Sequence, residues 1–117
     1  MSGLTTHILD LTHGLPASNV TVELYYILNG ERHLLKTDIT NADGRLDEPI
    51  LSAKEMKIGT YELTFHIGAY FRKKNLTLSD PLFLDQVPLR FGISNLESHY
   101  HVPLLISPYG YQTYRGS

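Results

Sequence analysis

The stretch Val20-Thr21-Val22-Glu23-Leu24-Tyr25-Tyr26-Ile27-Leu28, closed by Asn29-Gly30, decides the fold class. Val20, Val22, Leu24 and Tyr26 fall on one side of an extended chain, with Thr21, Glu23 and Tyr25 on the other. That is the period-2 alternation of a half-buried strand. Asn and Gly both accept positive φ, so Asn29-Gly30 predicts a tight hairpin with His33 to Ile39 as the returning strand. Upstream, Leu4 to Leu11 is apolar and β-branched and reads as a first strand, followed by turn chemistry at His13-Gly14-Leu15-Pro16. Downstream, Asn41-Ala42-Asp43-Gly44 is a second tight turn that delivers Arg45. Tyr61 to His66 alternates again. Ile67 to Leu76 reads as the one helix, with three cations near its C-terminal end, where the helix dipole favours them. Pro81 stops it. Leu82 to Ile93 is expected as a long strand with Pro88 at an edge. Tyr100 to Ser107 is the next strand, and Pro108-Tyr109-Gly110 turns into a last one ending at Ser117. Seven or eight short strands plus one helix argue an all-β sandwich, and the length argues one domain over residues 1–117.

Bulk properties exclude several functions. The formal charge of −2 sets up no field for nucleic acid, and no basic stripe is present. With no cysteine there is no disulfide, thiolate nucleophile or Cys-ligated zinc. No apolar run approaches the roughly 18 residues of a membrane span. The N-terminus has neither a basic flank nor an apolar h-region, and there is no Ser-Lys-Leu ending. Cytoplasm is therefore the default compartment, with peroxisome and periplasm as alternatives.

The chain carries six histidines, the side chain suited to moving protons near neutral pH. His7 lies mid-strand. His99 and His101 are two apart on a strand and leave it on the same face. His13 and His33 read as solvated turn or loop residues, and His66 ends a strand just before the helix. A His-x-His pair invites a zinc reading, but zinc wants three or four ligands, and sequence alone does not bring His7 to the pair. Arg45 has two readings: a guanidinium gripping an oxygen-rich ligand through paired donors, or an exposed cation paired with Asp43 or Asp47. There is no Gly-rich phosphate loop, serine nucleophile elbow or metalloprotease helix, and the carboxylates are scattered singly. Any chemistry falls to imidazole, guanidinium and phenol.

Four segments together resemble the transthyretin-like 5-hydroxyisourate hydrolases. They are Leu4-Thr5-Thr6-His7-Ile8-Leu9-Asp10 continued by Gly14, Pro16 and Ala17; Thr40-Asn41-Ala42-Asp43-Gly44-Arg45; Tyr100-His101-Val102-Pro103-Leu104-Leu105-Ile106-Ser107-Pro108; and the terminal Tyr114-Arg115-Gly116-Ser117. The match is collinear and essentially full length. It implies a prealbumin-like sandwich of two four-stranded sheets with a short helix after the fifth strand. It also implies a homotetramer, a dimer of dimers with 222 symmetry and active sites at the dimer–dimer interface. The implied reaction, part of urate degradation, is hydrolysis of 5-hydroxyisourate to 2-oxo-4-hydroxy-4-carboxy-5-ureidoimidazoline, a cyclic-amide opening that needs no cofactor and no metal.

In that family the functional residues of the first three motifs fall here on His7, Arg45 and His101, and the terminal tetrapeptide lines the same channel. The resemblance thus implies His7, Arg45 and His101 as catalytic, with His7, Arg45, Tyr114 and Ser117 binding substrate. One imidazole would take a proton from water while the other orients the water or protonates the leaving nitrogen; the sequence does not say which. His99 matches no motif position and is expected to be a supporting or surface residue. The rival classes are a transthyretin-fold carrier, which would want apolar and small channel residues, and a metal-binding sandwich using the His-x-His pair.

Overall fold

The computed structural model describes residues 3–116; Met1, Ser2 and Ser117 lie outside them. Nine strands and one helix follow in order: β1 Gly3–Asp10, β2 Leu15–Pro16, β3 Thr21–Leu28, β4 Glu31–Ile39, β5 Leu51–Ser52, β6 Gly59–Phe65, α1 Ile67–Arg72, β7 Val87–Ile93, β8 His99–Ser107 and β9 Gly110–Thr113. One sheet runs β4-β3-β6-β7, antiparallel throughout. The other runs β2-β1-β8-β9, and β5 also pairs with β1. The two-residue strands β2 and β5 share one edge of β1, at Leu9-Asp10 and at Gly3-Leu4, so this sheet is four strands wide at either level. The expected sandwich of two four-strand layers is the observed architecture.

The period-2 pattern builds the core. Leu4 and Ile8 of β1, Val22 and Leu24 of β3, Leu63 and Phe65 of β6, and Leu104 and Ile106 of β8 are all fully buried between the sheets. Alternate residues along the same strands face outward. The hairpin forms at Asn29-Gly30, with φ of 53° and 78°, the geometry whose twist matches its strands. Pro88 sits on β7, an edge strand, where a missing N–H costs least.

Several sequence expectations are corrected. The helix ends at Arg72, not Leu76. Its buried face consists of Ile67, Gly68, Tyr70 and Phe71, and beyond it Lys73 and Lys74 offer nothing to bury, so no packing sustains another turn. Residues 82–86 do not join the sheet, and β7 begins at Val87. That segment crosses the helix instead, where the Asp85 carbonyl accepts the Gly68 N–H at 2.8 Å. The last strand stops at Thr113, with Gly116 alone rejoining β8 as a bridge to His101. His33 lies within strand β4, not in a loop. His13 does lie in a turn, but it is tethered: its Nδ1 donates to Asp10 at 2.6 Å.

Asp10 joins the helix to the sheet. Its buried carboxylate also accepts from the Tyr70 hydroxyl at 2.7 Å and from the Thr12 and His13 amides. Burial pushes its pKa up, but the bonds from Tyr70 and His13 outweigh burial and hold it below the usual value. Among the described residues, no helix is long and apolar enough to cross a membrane.

Candidate active site

The site is built on the outer face of the β1–β8 pair. These strands are parallel, with Gly3 opposite His99, Thr5 opposite His101 and His7 opposite Pro103. Even-numbered residues of both strands point into the core, so Thr5, His7, His99 and His101 share the outward face. Thr6, on the inner side, donates to the Val102 carbonyl at 2.6 Å and locks the register.

Arg45 arrives on this face from the other edge of β1, where it forms an antiparallel bridge with His7. Opposite residues of such a bridge project to the same side. The turn before it is made by Asn41, whose side-chain oxygen accepts the Asp43 and Arg45 amides at 2.9 and 3.2 Å. Gly44, with φ of 73°, takes the left-handed step, and its carbonyl accepts the Ile8 amide at 2.8 Å. Among the described residues, no carboxylate lies within ion-pair distance of the Arg45 guanidinium. Asp47 accepts instead from the Asn41 amide. The bland reading of Arg45 as a paired surface cation therefore does not describe it. A cavity of about 150 Å³, lined by Thr5, Arg45, Leu46, Asp47 and Glu48 among others, opens beside it.

His7 Nε2 lies 3.0 Å from the Asp43 carbonyl oxygen. A carbonyl only accepts, so this nitrogen carries the proton and Nδ1 of the neutral ring presents a lone pair. The His7 pKa is held below 6.5, first by burial and then by the Arg45 charge, against a partial pull upward from Asp43. His101 is lowered likewise, by burial first and then by Arg45, His7 and His99. Both rings are thus poised as neutral imidazoles at neutral pH, able to accept a proton.

The C-terminal tail runs beside β8 at His101, on the edge away from β1. The Gly116 amide donates to the His101 carbonyl at 2.8 Å. A Cβ on Gly116 would sit 2.7 Å from His101 Cδ2, so only glycine lets the tail lie this close. Arg115 anchors the tail: its guanidinium lies 4.1 Å from the Tyr100 ring centroid and donates to the His99 carbonyl at 3.2 Å.

The structure therefore brings His7, Arg45 and His101 to one face. It does not bring Tyr114 there within a single chain. Tyr114 is exposed and lines a groove of about 470 Å³ with Leu89, Phe91 and Val102, between the β7 and β9 edges. Ser117 falls outside the described residues. Sequence reasoning missed Thr5, whose hydroxyl lies 2.8 Å from His101 Nδ1 and 3.0 Å from His99 Nε2. The same-face spacing of His99 and His101 was visible in the sequence, but their strand partner was not. Among the described residues, no group of three or more His, Asp or Glu side chains is arranged to hold a metal ion.

Known proteins place this geometry in context. A 5-hydroxyisourate hydrolase of Rhizobium meliloti is 55% identical over 114 residues, covering 97% of this chain and 95% of that protein. The solved structure of Klebsiella pneumoniae 5-hydroxyisourate hydrolase superposes with a TM-score of 0.80 at 40% identity and covers all of both chains. The crystal structure of (S)-allantoin synthase superposes with a TM-score of 0.92 at 45% identity. That match takes in 99% of this chain but 44% of the other, so this chain spans less than half of that protein. The family model described as HIUase/Transthyretin matches residues 4–116, which include every strand of the sandwich and all three residues of the cluster. The chain belongs to the HIUase/Transthyretin family.

Proposed function

We propose that this chain hydrolyses 5-hydroxyisourate to 2-oxo-4-hydroxy-4-carboxy-5-ureidoimidazoline, with His7, Arg45 and His101 as the working residues. The observation that carries the reading is the meeting on one sheet face of two imidazoles and a guanidinium that pairs with no carboxylate among the described residues. Full-length similarity to hydrolases of that name supports it. The chemistry fits the residues. Water attacks the ring amide carbon and one imidazole takes its proton. The C–N bond then breaks, with a proton delivered to the departing nitrogen. Arg45 holds the substrate's oxygens and counters the negative charge that grows on the attacked carbonyl. Nothing covalent forms between chain and substrate.

The three residues lie on the outward face of a sheet, which fits assembly as a homotetramer in which a second sheet face covers them. Tyr114 reaches substrate in that assembly if a neighbouring copy supplies it. Light scattering should give four times the 13.3 kDa chain mass. Activity is tested by adding the protein to urate and urate oxidase and following decay of the 5-hydroxyisourate absorbance. Faster decay at catalytic protein concentrations is the expected result, and an unchanged decay rate defeats the reading. In the same assay, Arg45→Ala should raise KM if Arg45 chiefly binds, and lower kcat if it chiefly stabilises charge.

A further inference from the structure

We propose that Thr5 and His99 are positioning residues for His101, forming a hydrogen-bonded relay that sets which ring nitrogen of His101 carries its proton. The inference rests on the hydrolase reading. It is carried by the Thr5 hydroxyl lying between His101 Nδ1, at 2.8 Å, and His99 Nε2, at 3.0 Å.

A hydroxyl has one proton and two lone pairs, so two arrangements make it a link, donating to one ring and accepting from the other, while a third, in which both rings donate to it, breaks the relay. In the first, His101 Nδ1–H donates to Thr5 and Thr5 donates to His99 Nε2, which leaves a lone pair on His101 Nε2. In the second, every bond reverses and His101 Nε2 carries a proton. The tautomer of one imidazole is set by the bond its other nitrogen makes. Among the described residues, His101 Nε2 has no hydrogen-bond partner. The first arrangement leaves the lone pair of this nitrogen free to take a proton, and we take it as the resting one, with His101 as proton acceptor.

The relay also says where the proton goes. When His101 Nε2 takes a proton from water, its Nδ1 proton passes to the Thr5 oxygen and the Thr5 proton passes to His99 Nε2. His101 is again neutral and now holds an N–H that can protonate the leaving nitrogen. As that proton leaves, the relay runs back and all three groups return to their starting states. The charged and titratable groups around this relay are Arg45 and His7 on the β1 side, Asp47 and Glu48 in the cavity that Thr5 lines, His99 on the same strand, and Arg115 of the tail, which donates to the His99 carbonyl. The strand register places His99 opposite Gly3, four residues from the position that pairs with Arg45, whereas His101 is two residues from it. Charge parked on His99 is thus about 7 Å further along the strand from the guanidinium.

Thr5→Val removes the hydroxyl and keeps a β-branched side chain, while Thr5→Ser keeps the hydroxyl. Thr5→Val is expected to lower kcat by about fivefold or more with KM nearly unchanged, and Thr5→Ser to recover most of it. Nitrogen-15 NMR of the wild-type chain should show His101 protonated on Nδ1, and Thr5→Val should shift it towards Nε2. A smaller fall in kcat for Thr5→Val, or a His101 tautomer that Thr5→Val leaves unchanged, overturns the proposal. The wild-type tautomers report on the relay even if Thr5→Val does not fold: His99 as well as His101 protonated on Nδ1 is expected, and His99 protonated on Nε2 overturns it. Failure of the wild-type protein to hydrolyse 5-hydroxyisourate defeats the hydrolase reading instead, while the NMR result still decides the relay.

Discussion

His101→Ala lowers kcat for 5-hydroxyisourate by about 10²-fold or more, with the molecular mass of the assembly unchanged. Positioned acid–base groups supply about 10² to 10⁴ in rate, equal to about 2.7 to 5.5 kcal/mol of barrier. The loss is one of chemistry, not folding, because the His101 side chain lies on the outer face and the core beneath is made by Tyr100, Val102 and Leu104. His7→Ala should cost at least tenfold for the same reason. If both variants keep near-normal turnover, the acid–base account is wrong. The pH profile gives a second reading of the same group. Burial and then the charges of Arg45, His7 and His99 hold His101 below its ordinary 6.5. The accepting form therefore prevails at neutral pH, and kcat should fall only as pH drops below the ordinary imidazole value. Removing a nearby cation makes the imidazolium easier to form, so Arg45→Ala should move the acid limb upward, towards 6.5. A limb that stays put or moves down shows that Arg45 does not act on the titrating group.

Much of this arrangement could be read from local pattern. Alternation found β3, whose inward residues are buried and outward ones partly exposed, and β6, whose outward Glu62 and Thr64 are polar although buried, whereas β4, exposed along its length, was reached through the turn before it. Asn29-Gly30 and Asn41 to Gly44 announced their turns through residues that accept positive φ. What escaped was long-range pairing. Nothing in the periodicity of β1 or β8 says that the first strand lies parallel to the eighth, so Thr5 looked like an ordinary strand residue when it in fact lies between two imidazoles. The same blindness affected residues 82–86, whose apolar Leu82, Phe83 and Leu84 suggest a strand but whose backbone caps the helix. The role of Arg45 was legible only through family resemblance. Asp47 accepts from the Asn41 amide and neither Asp43 nor Asp47 pairs with Arg45, none of which a sequence displays.

Gly44→Ala tests how the turn holds Arg45, and it should lower the thermal midpoint by about 10 °C. A Cβ at this position would lie 2.4 Å from the Ile8 carbonyl oxygen and 3.2 Å from the Ala17 amide nitrogen. Both are backbone atoms, of β1 and of the residue just after β2, and neither can rotate away as a side chain would. The Ile8 carbonyl is also the acceptor for the Ala17 amide, so moving it breaks a bond as well as straining a turn. Gly14 provides the control. Its φ of +70° is almost that of Gly44 at +73°, but a Cβ there meets nothing within 4 Å. Gly14→Ala should pay only the left-handed penalty of about 1 to 2 kcal/mol. Gly44→Ala should lose about 2 kcal/mol more from the enforced displacement, or several further degrees for a chain of this size. The displacement also works directly on the site, since the Ile8–Gly44 hydrogen bond and the His7–Arg45 bridge are adjacent links in one short pairing. At a temperature where Gly44→Ala remains folded, kcat/KM should still be reduced, because the guanidinium no longer shares a fixed register with the imidazoles. Equal midpoints for the two alanine variants would mean that the close approach to β1 contributes nothing, and that Arg45 is placed by some contact other than this turn.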